Sequence, residues 1–152
     1  MKRLLCLLLV ASGGAAAAPA DPLNAVAEGA VYAQTRCYRL IHHDTFDYED
    51  CLQALLRDAR RPTPRRLGME YFGWVGAQNS ARLGMRGAEQ TAYEFLGRFR
   101  ATQKRLRIGD EALCASVAGD CTVRIARMKQ MDAAPRPRPA PGEGDDDERP
   151  HH

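Results

Sequence analysis

Pro64-Arg65-Arg66-Leu67-Gly68-Met69-Glu70-Tyr71-Phe72-Gly73-Trp74-Val75-Gly76-Ala77 holds the only tryptophan of the chain, two more aromatic residues and three glycines. Thr63 and Pro64 are residue types favoured at a helix N-cap and first helical position. Leu67, Tyr71, Trp74, Val75 and Gln78 then fall on one side of a helix while Phe72 projects from another, so the apolar arc is wide. Such an arc suits a central helix touched by several neighbours. Gly73, Ala77 and Ala81 form one small-residue row, and Gly76, Ser80 and Gly84 form another. Each glycine inside a helix costs about 1 kcal/mol relative to alanine. Their recurrence predicts neighbouring backbones in close approach. Glu70, Asn79 and Arg82 exclude a membrane span here.

Upstream, Asp21 and Pro22 read as N-cap and first helical residue, and Val26, Ala30, Ala33, Cys37, Leu40 and Ile41 recur at helical spacing. That predicts a first helix ending near His42. After a short loop, Asp47 is expected to cap a second helix, with Phe46 and Cys51 forming a hydrophobic staple. Cys51, Leu52, Leu55, Leu56 and Ala59 are its buried stripe, and Pro62 stops it. Downstream of the central helix, 84–87 is a turn, and Ala88, Ala92, Phe95, Leu96, Phe99 and Leu106 outline a fourth helix. Asp110 is expected to cap a short fifth helix. Cys121, Val123 and Ile125 alternate as a strand would, but no other segment offers a partner strand, so 121–131 reads as a sixth helix.

The two ends depart from this pattern. Lys2 and Arg3 precede an apolar run over 4–11, followed by small residues through Ala20, which is the layout of a secretory signal peptide over 1–20. The run is too short to span a bilayer, so no transmembrane segment is expected in the mature chain. Residues 133–152, rich in Pro and Arg and then acidic, carry no apolar residue larger than alanine or proline. Such a tail cannot bury enough surface to offset its ordering entropy and reads as disordered. The expected folded unit is 21–132, and a core of that size is viable without a metal.

Formal net charge is +3, and removal of Lys2 and Arg3 leaves 20 bases against 19 acids. A nucleic-acid binder normally shows a stronger basic excess, and export makes nucleic acid a poor partner. Four cysteines remain beyond 1–20: Cys37, Cys51, Cys114 and Cys121. An even count in an exported domain reads as two disulfides. Cys37 and Cys51 each lie about one helical turn from the bend between the first two helices, and Cys114 and Cys121 flank the Gly119-Asp120 turn. Four cysteines allow three pairings and the sequence does not fix which forms; the flanking positions favour the local one, worth about 3 and about 2.5 kcal/mol by loop closure. The expected fold is all-α: a compact bundle of five or six helices stapled by two local disulfides.

Motifs for chemistry are sparse. His42-His43-Asp44 with Asp47, Glu49 and Asp50 is the densest set of metal-ligand types, but no second histidine follows one helical turn away, as a helical zinc site requires. A polar bend with capping acids explains it more simply. Ser80 and Ser116 lie in no nucleophile elbow, the cysteines form no Cys-x-x-Cys pair, and no cofactor is implied. Glu70, among Met69, Tyr71, Phe72 and Trp74, is the one residue for which a general acid can be written down, in a wall-cleaving hydrolase with a second carboxylate. The commoner arrangement is a surface ion pair with Arg66, four residues earlier. An exposed Phe72 beside Arg98, Arg100, Lys104, Arg105 and Arg107 makes a candidate contact surface for a protein or an anionic envelope component. By elimination, the sequence points to a periplasmic or secreted bacterial protein, non-enzymatic, that binds another macromolecule as an adaptor, inhibitor or immunity-type protein. The hydrolase through Glu70 stands second, and a metal-binding protein through the His42 loop third.

Overall fold

The structure, a computed structural model, describes residues 21–138. The signal peptide expected over 1–20 and the tail from 139 onward lie outside the described residues. Six α-helices follow one another: α1 (Pro22–Cys37), α2 (Thr45–Asp58), α3 (Pro64–Arg82), α4 (Ala88–Leu106), α5 (Asp110–Ala115) and α6 (Cys121–Ala133). The chain is an all-α bundle closed by Cys37–Cys51 and Cys114–Cys121, with Cα separations of 5.8 and 5.6 Å.

Two of the four expected caps form, at Asp21 and Thr63. The Asp21 carboxylate accepts from the Leu23 N–H at 3.0 Å, and the Thr63 hydroxyl accepts from the Arg66 N–H at 3.2 Å. Asp120, read from the sequence only as part of a turn, also caps α6 through the Val123 N–H at 3.1 Å. Gly84 and Gly87, at φ of 72° and 75°, make the turn between α3 and α4 in backbone geometry that side chains resist.

Three local expectations are corrected. First, α1 stops at Cys37 and passes through a 3-10 turn, Tyr38–Leu40, before the bend. Second, α2 begins three residues earlier than Asp47 would allow. Asp44 is its cap, in extended backbone, with its carboxylate 2.7 Å from the Phe46 nitrogen. Phe46 is therefore inside the helix and 43% exposed, and no staple to Cys51 forms. The earlier start brings Tyr48 into the core, where its hydroxyl donates to the Phe72 carbonyl at 2.9 Å. Third, Gly109 occupies the cap position of α5, because the Asp110 carboxylate is taken by Arg100 and Gln103 of α4.

The centre of the bundle is α3, packed most extensively on α1 and α4 and then on α2. Its residues 67–74 are all buried in succession, as expected for a helix surrounded on every side. Tyr71, Trp74 and Phe99 form an aromatic triangle with ring centroids 5.6 to 5.8 Å apart. From α6, the Met131 sulfur accepts from the Trp74 indole N–H at 3.4 Å and from the Gln78 amide at 3.3 Å.

The glycine rows act differently from the backbone-to-backbone contact expected of them. Gly73 makes room for the Phe95 ring and Gly76 for the Tyr48 ring. Helix backbones meet elsewhere, where Gly29 of α1 lies against the Arg65 carbonyl and Gly68 of α3 against the Val26 carbonyl.

Candidate functional site

Glu70 is on α3 one turn beyond Arg66, and the pairing expected from that spacing is present: Arg66 Nε donates to Glu70 Oε1 at 2.7 Å. Its setting is the reverse of a surface pair. The Glu70 side chain is only 1% exposed, because the α2–α3 connection and α4 close over it. Arg66 is fixed in turn, its Nη1 donating to the carbonyls of Ala59 and Arg60 at 2.8 Å each. Glu70 Oε2 is buried and accepts no hydrogen bond from the described residues.

Above this pair lies a cleft of about 260 Å³ whose charged lining is Arg60, Arg66, Glu70, Arg98 and Arg105. Thr102 supplies the neutral polar group, and Glu70 is the one carboxylate among the described residues lining it. Arg98 is held by donation to the Gln53 amide oxygen at 2.8 Å, with its guanidinium 5.8 Å over the Phe95 ring.

The candidate contact surface divides. Phe72 is buried at 7% exposure and packs edge-on against Tyr48, so it is core and not an exposed contact. Sequence spacing alone could not reveal that α2 covers this side of α3. Arg100 turns toward the bundle, bonding Asp110 of α5 and, at 2.6 Å, Asp132 of α6. Lys104, Arg105 and Arg107 are exposed, and Arg98 is partly exposed. Of the row, only Arg98 and Arg105 join the cleft. Arg60, whose proximity to them depends on the α2–α3 connection, left no signal in the sequence.

His42 and His43 are exposed on the bend, with His42 edge-on to Tyr38 at 5.9 Å. Among the described residues no group of three or more His, Cys, Asp or Glu is placed to hold a metal ion. No described helix is long and apolar enough to cross a membrane.

Three ionisable groups are displaced by burial. Tyr48 is pushed well above the ordinary tyrosine value by desolvation. Tyr71 is raised for the same reason, against the opposing charge of Arg124. Glu49 is raised by burial first and by the neighbouring Glu94 as well, although the Thr91 hydroxyl donates to its Oε2 at 2.8 Å.

One end of the bundle carries a different surface. Apart from Val31 and Val123, the exposed large apolar side chains among the described residues are Tyr38, Phe46 and Leu83, at 47%, 43% and 63%. They share that end because the Ser80 hydroxyl donates to the Ile41 carbonyl at 3.1 Å, tying the end of α3 to the bend, and because the Phe46 ring lies over Gly87.

The class defined by these features is a six-helix, two-disulfide bundle with an arginine-walled cleft and an apolar end. No protein family matches the chain, and neither curated proteins nor solved structures yield a significant match.

Proposed function

We propose that the protein is exported and non-enzymatic, and acts by binding another protein of the cell envelope through the end that presents Tyr38, Phe46 and Leu83. The observation that carries this reading is that three of the five exposed large apolar side chains among the described residues, Tyr38, Phe46 and Leu83, stand at one end of the bundle, whereas Val31 on α1 and Val123 on α6 are exposed singly. Aromatic side chains with both apolar area and a polar edge are enriched in protein interfaces. Clustered apolar exposure costs solubility unless a partner covers it. Two disulfides in so small a domain support an oxidising compartment, in line with the signal-peptide pattern of 1–20.

A photo-crosslinking residue placed at 38, 46 or 83 in cells, followed by mass spectrometry, tests the reading. The expected result is one discrete protein adduct from these positions and none from Thr122, exposed on α6. Leu83→Asp should abolish the adduct while leaving thermal unfolding unchanged. Equal labelling from all four positions would refute it.

A further inference from the structure

The geometry points to a second binding site, independent of the apolar end: the cleft formed by Arg60, Arg66, Arg98 and Arg105 over Glu70 binds an oxyanion that carries a proton, namely phosphate or a phosphomonoester. Two of its guanidinium groups are positioned before any ligand arrives. Arg66 is held by Glu70 and two backbone carbonyls, and Arg98 by Gln53. Arg60 and Arg105 are exposed and able to swing onto the anion. Arg66 Nε and Nη1 are engaged within the protein, which leaves its Nη2 for an anion, whereas Arg98 is held through Nη1 alone and keeps the Nε and Nη2 edge that matches phosphate oxygens; fixing both beforehand lowers the ordering cost of binding.

Arginines alone would accept any oxyanion, and Glu70 is what makes the site selective. An ionised carboxylate is acceptor-only, and Arg66 occupies just one of its two oxygens. The other, buried and unpartnered, is a cost to the fold until a donor reaches it. Inorganic phosphate near neutral pH keeps at least one P–OH, and a phosphomonoester keeps one below its second pKa of about 6. Sulfate has no such hydrogen and would set its oxygen against the carboxylate. Oε2 exposes less than 1 Å², so the cleft-lining side chains must shift before a ligand hydroxyl can reach it. Thr102, whose hydroxyl now donates to the Arg98 carbonyl at 3.3 Å, supplies a further polar contact on rotation.

The test is titration of the full, disulfide-bonded chain with sodium phosphate and sodium sulfate at pH 6 and matched ionic strength, read by calorimetry and amide chemical shifts. Phosphate should bind saturably, with shifts centred on Arg66, Glu70, Arg98 and Thr102, and at least tenfold more tightly than sulfate. Arg105→Gln, at an exposed position, should weaken phosphate at least fivefold with an unchanged thermal midpoint. Glu70→Gln places an amide donor where Oε2 stood and should erase the preference for phosphate. Vesicles containing phosphatidic acid, against vesicles containing phosphatidylglycerol, separate the sources. Recruitment by phosphatidic acid alone assigns a lipid monoester headgroup, and no recruitment with retained phosphate binding assigns a soluble ligand. Equal affinity of the native chain for phosphate and sulfate would overturn the proposal, as would phosphate binding that Arg105→Gln leaves untouched.

Discussion

Gly29 of α1 and Gly68 of α3 occupy the crossing of their helices, each facing the other helix's backbone so closely that a β-carbon would strike a carbonyl. Neither carbonyl can move without breaking a helix. Gly68→Ala is therefore expected to destabilise the fold by about 3 kcal/mol through overpacking. Gly97→Ala, inside α4 with only the Arg136 side chain within 4 Å, should instead stabilise by up to about 1 kcal/mol. Urea unfolding of both variants checks the contrast, and equal midpoints would refute it.

Tyr48→Phe removes the donor to the Phe72 carbonyl and should cost about 1 to 2 kcal/mol at neutral pH. The pH dependence has a definite sign. The folded pKa of Tyr48 is raised, so its stabilising contribution is complete below the unfolded value near 10 and is lost as pH rises above it. Tyr71 acts in the same direction. Alkaline unfolding followed by circular dichroism should be shallower in Tyr48→Phe than in the parent.

Arg100 joins three helices by bonding Asp110 and Asp132, and Arg100→Gln should cost about 1 to 2 kcal/mol at pH 7. Burial alone would raise Asp110, but the Arg100 and Gln103 hydrogen bonds and the charge of Arg100 outweigh it and hold the carboxyl below its usual value. Its contribution is present above the unfolded value near 3.9 and is lost as pH falls below that. The penalty of Arg100→Gln should therefore shrink at pH 2.5, and an undiminished penalty there would show that charge plays no part.

Glu49→Gln should raise stability at pH 7, by about 0.5 kcal/mol on the scale of like-charge pairs. Burial and Glu94 raise the folded pKa of Glu49, so its stability is complete below the unfolded value and is lost as pH climbs through the folded one. Glutamine keeps an acceptor for Thr91 without the charge. The gain should vanish at pH 3 in the same unfolding assay.

Cys37→Ser with Cys51→Ser should lower stability by about 3 kcal/mol, and Cys114→Ser with Cys121→Ser by about 2.5, because the first pair closes the longer loop. Thermal unfolding should rank the two double variants in that order. The reverse ranking would show that packing around the bridges outweighs loop closure.

Much of the fold was legible because its signals are local. Thr63-Pro64 starts α3, Gly84 and Gly87 make the turn into α4, and cysteines flanking a bend favour each other, the pairing that the structure contains. The Arg66–Glu70 pair was equally legible, since four residues on a helix place two side chains together. The start of α2 was not. Asp44 and Asp47 are equivalent caps by composition, and the choice is made by Tyr48 reaching a carbonyl 24 residues away.

Legible in the chain alone were an all-α bundle of five or six helices, their approximate limits, a preference for local disulfides and the central place of α3, because periodicity, caps and short loops act over a few residues; that there are six helices and that both local bridges form is seen in the structure. Only the tertiary structure decided that Phe72 is core, that Arg100 is a clamp, that Gly29 meets α3, and that Arg60 joins Arg98 and Arg105 above a buried Glu70. Each of these depends on which face of one helix another helix covers. That choice is set by the summed packing of many side chains far apart in the chain, and no single window of sequence contains it.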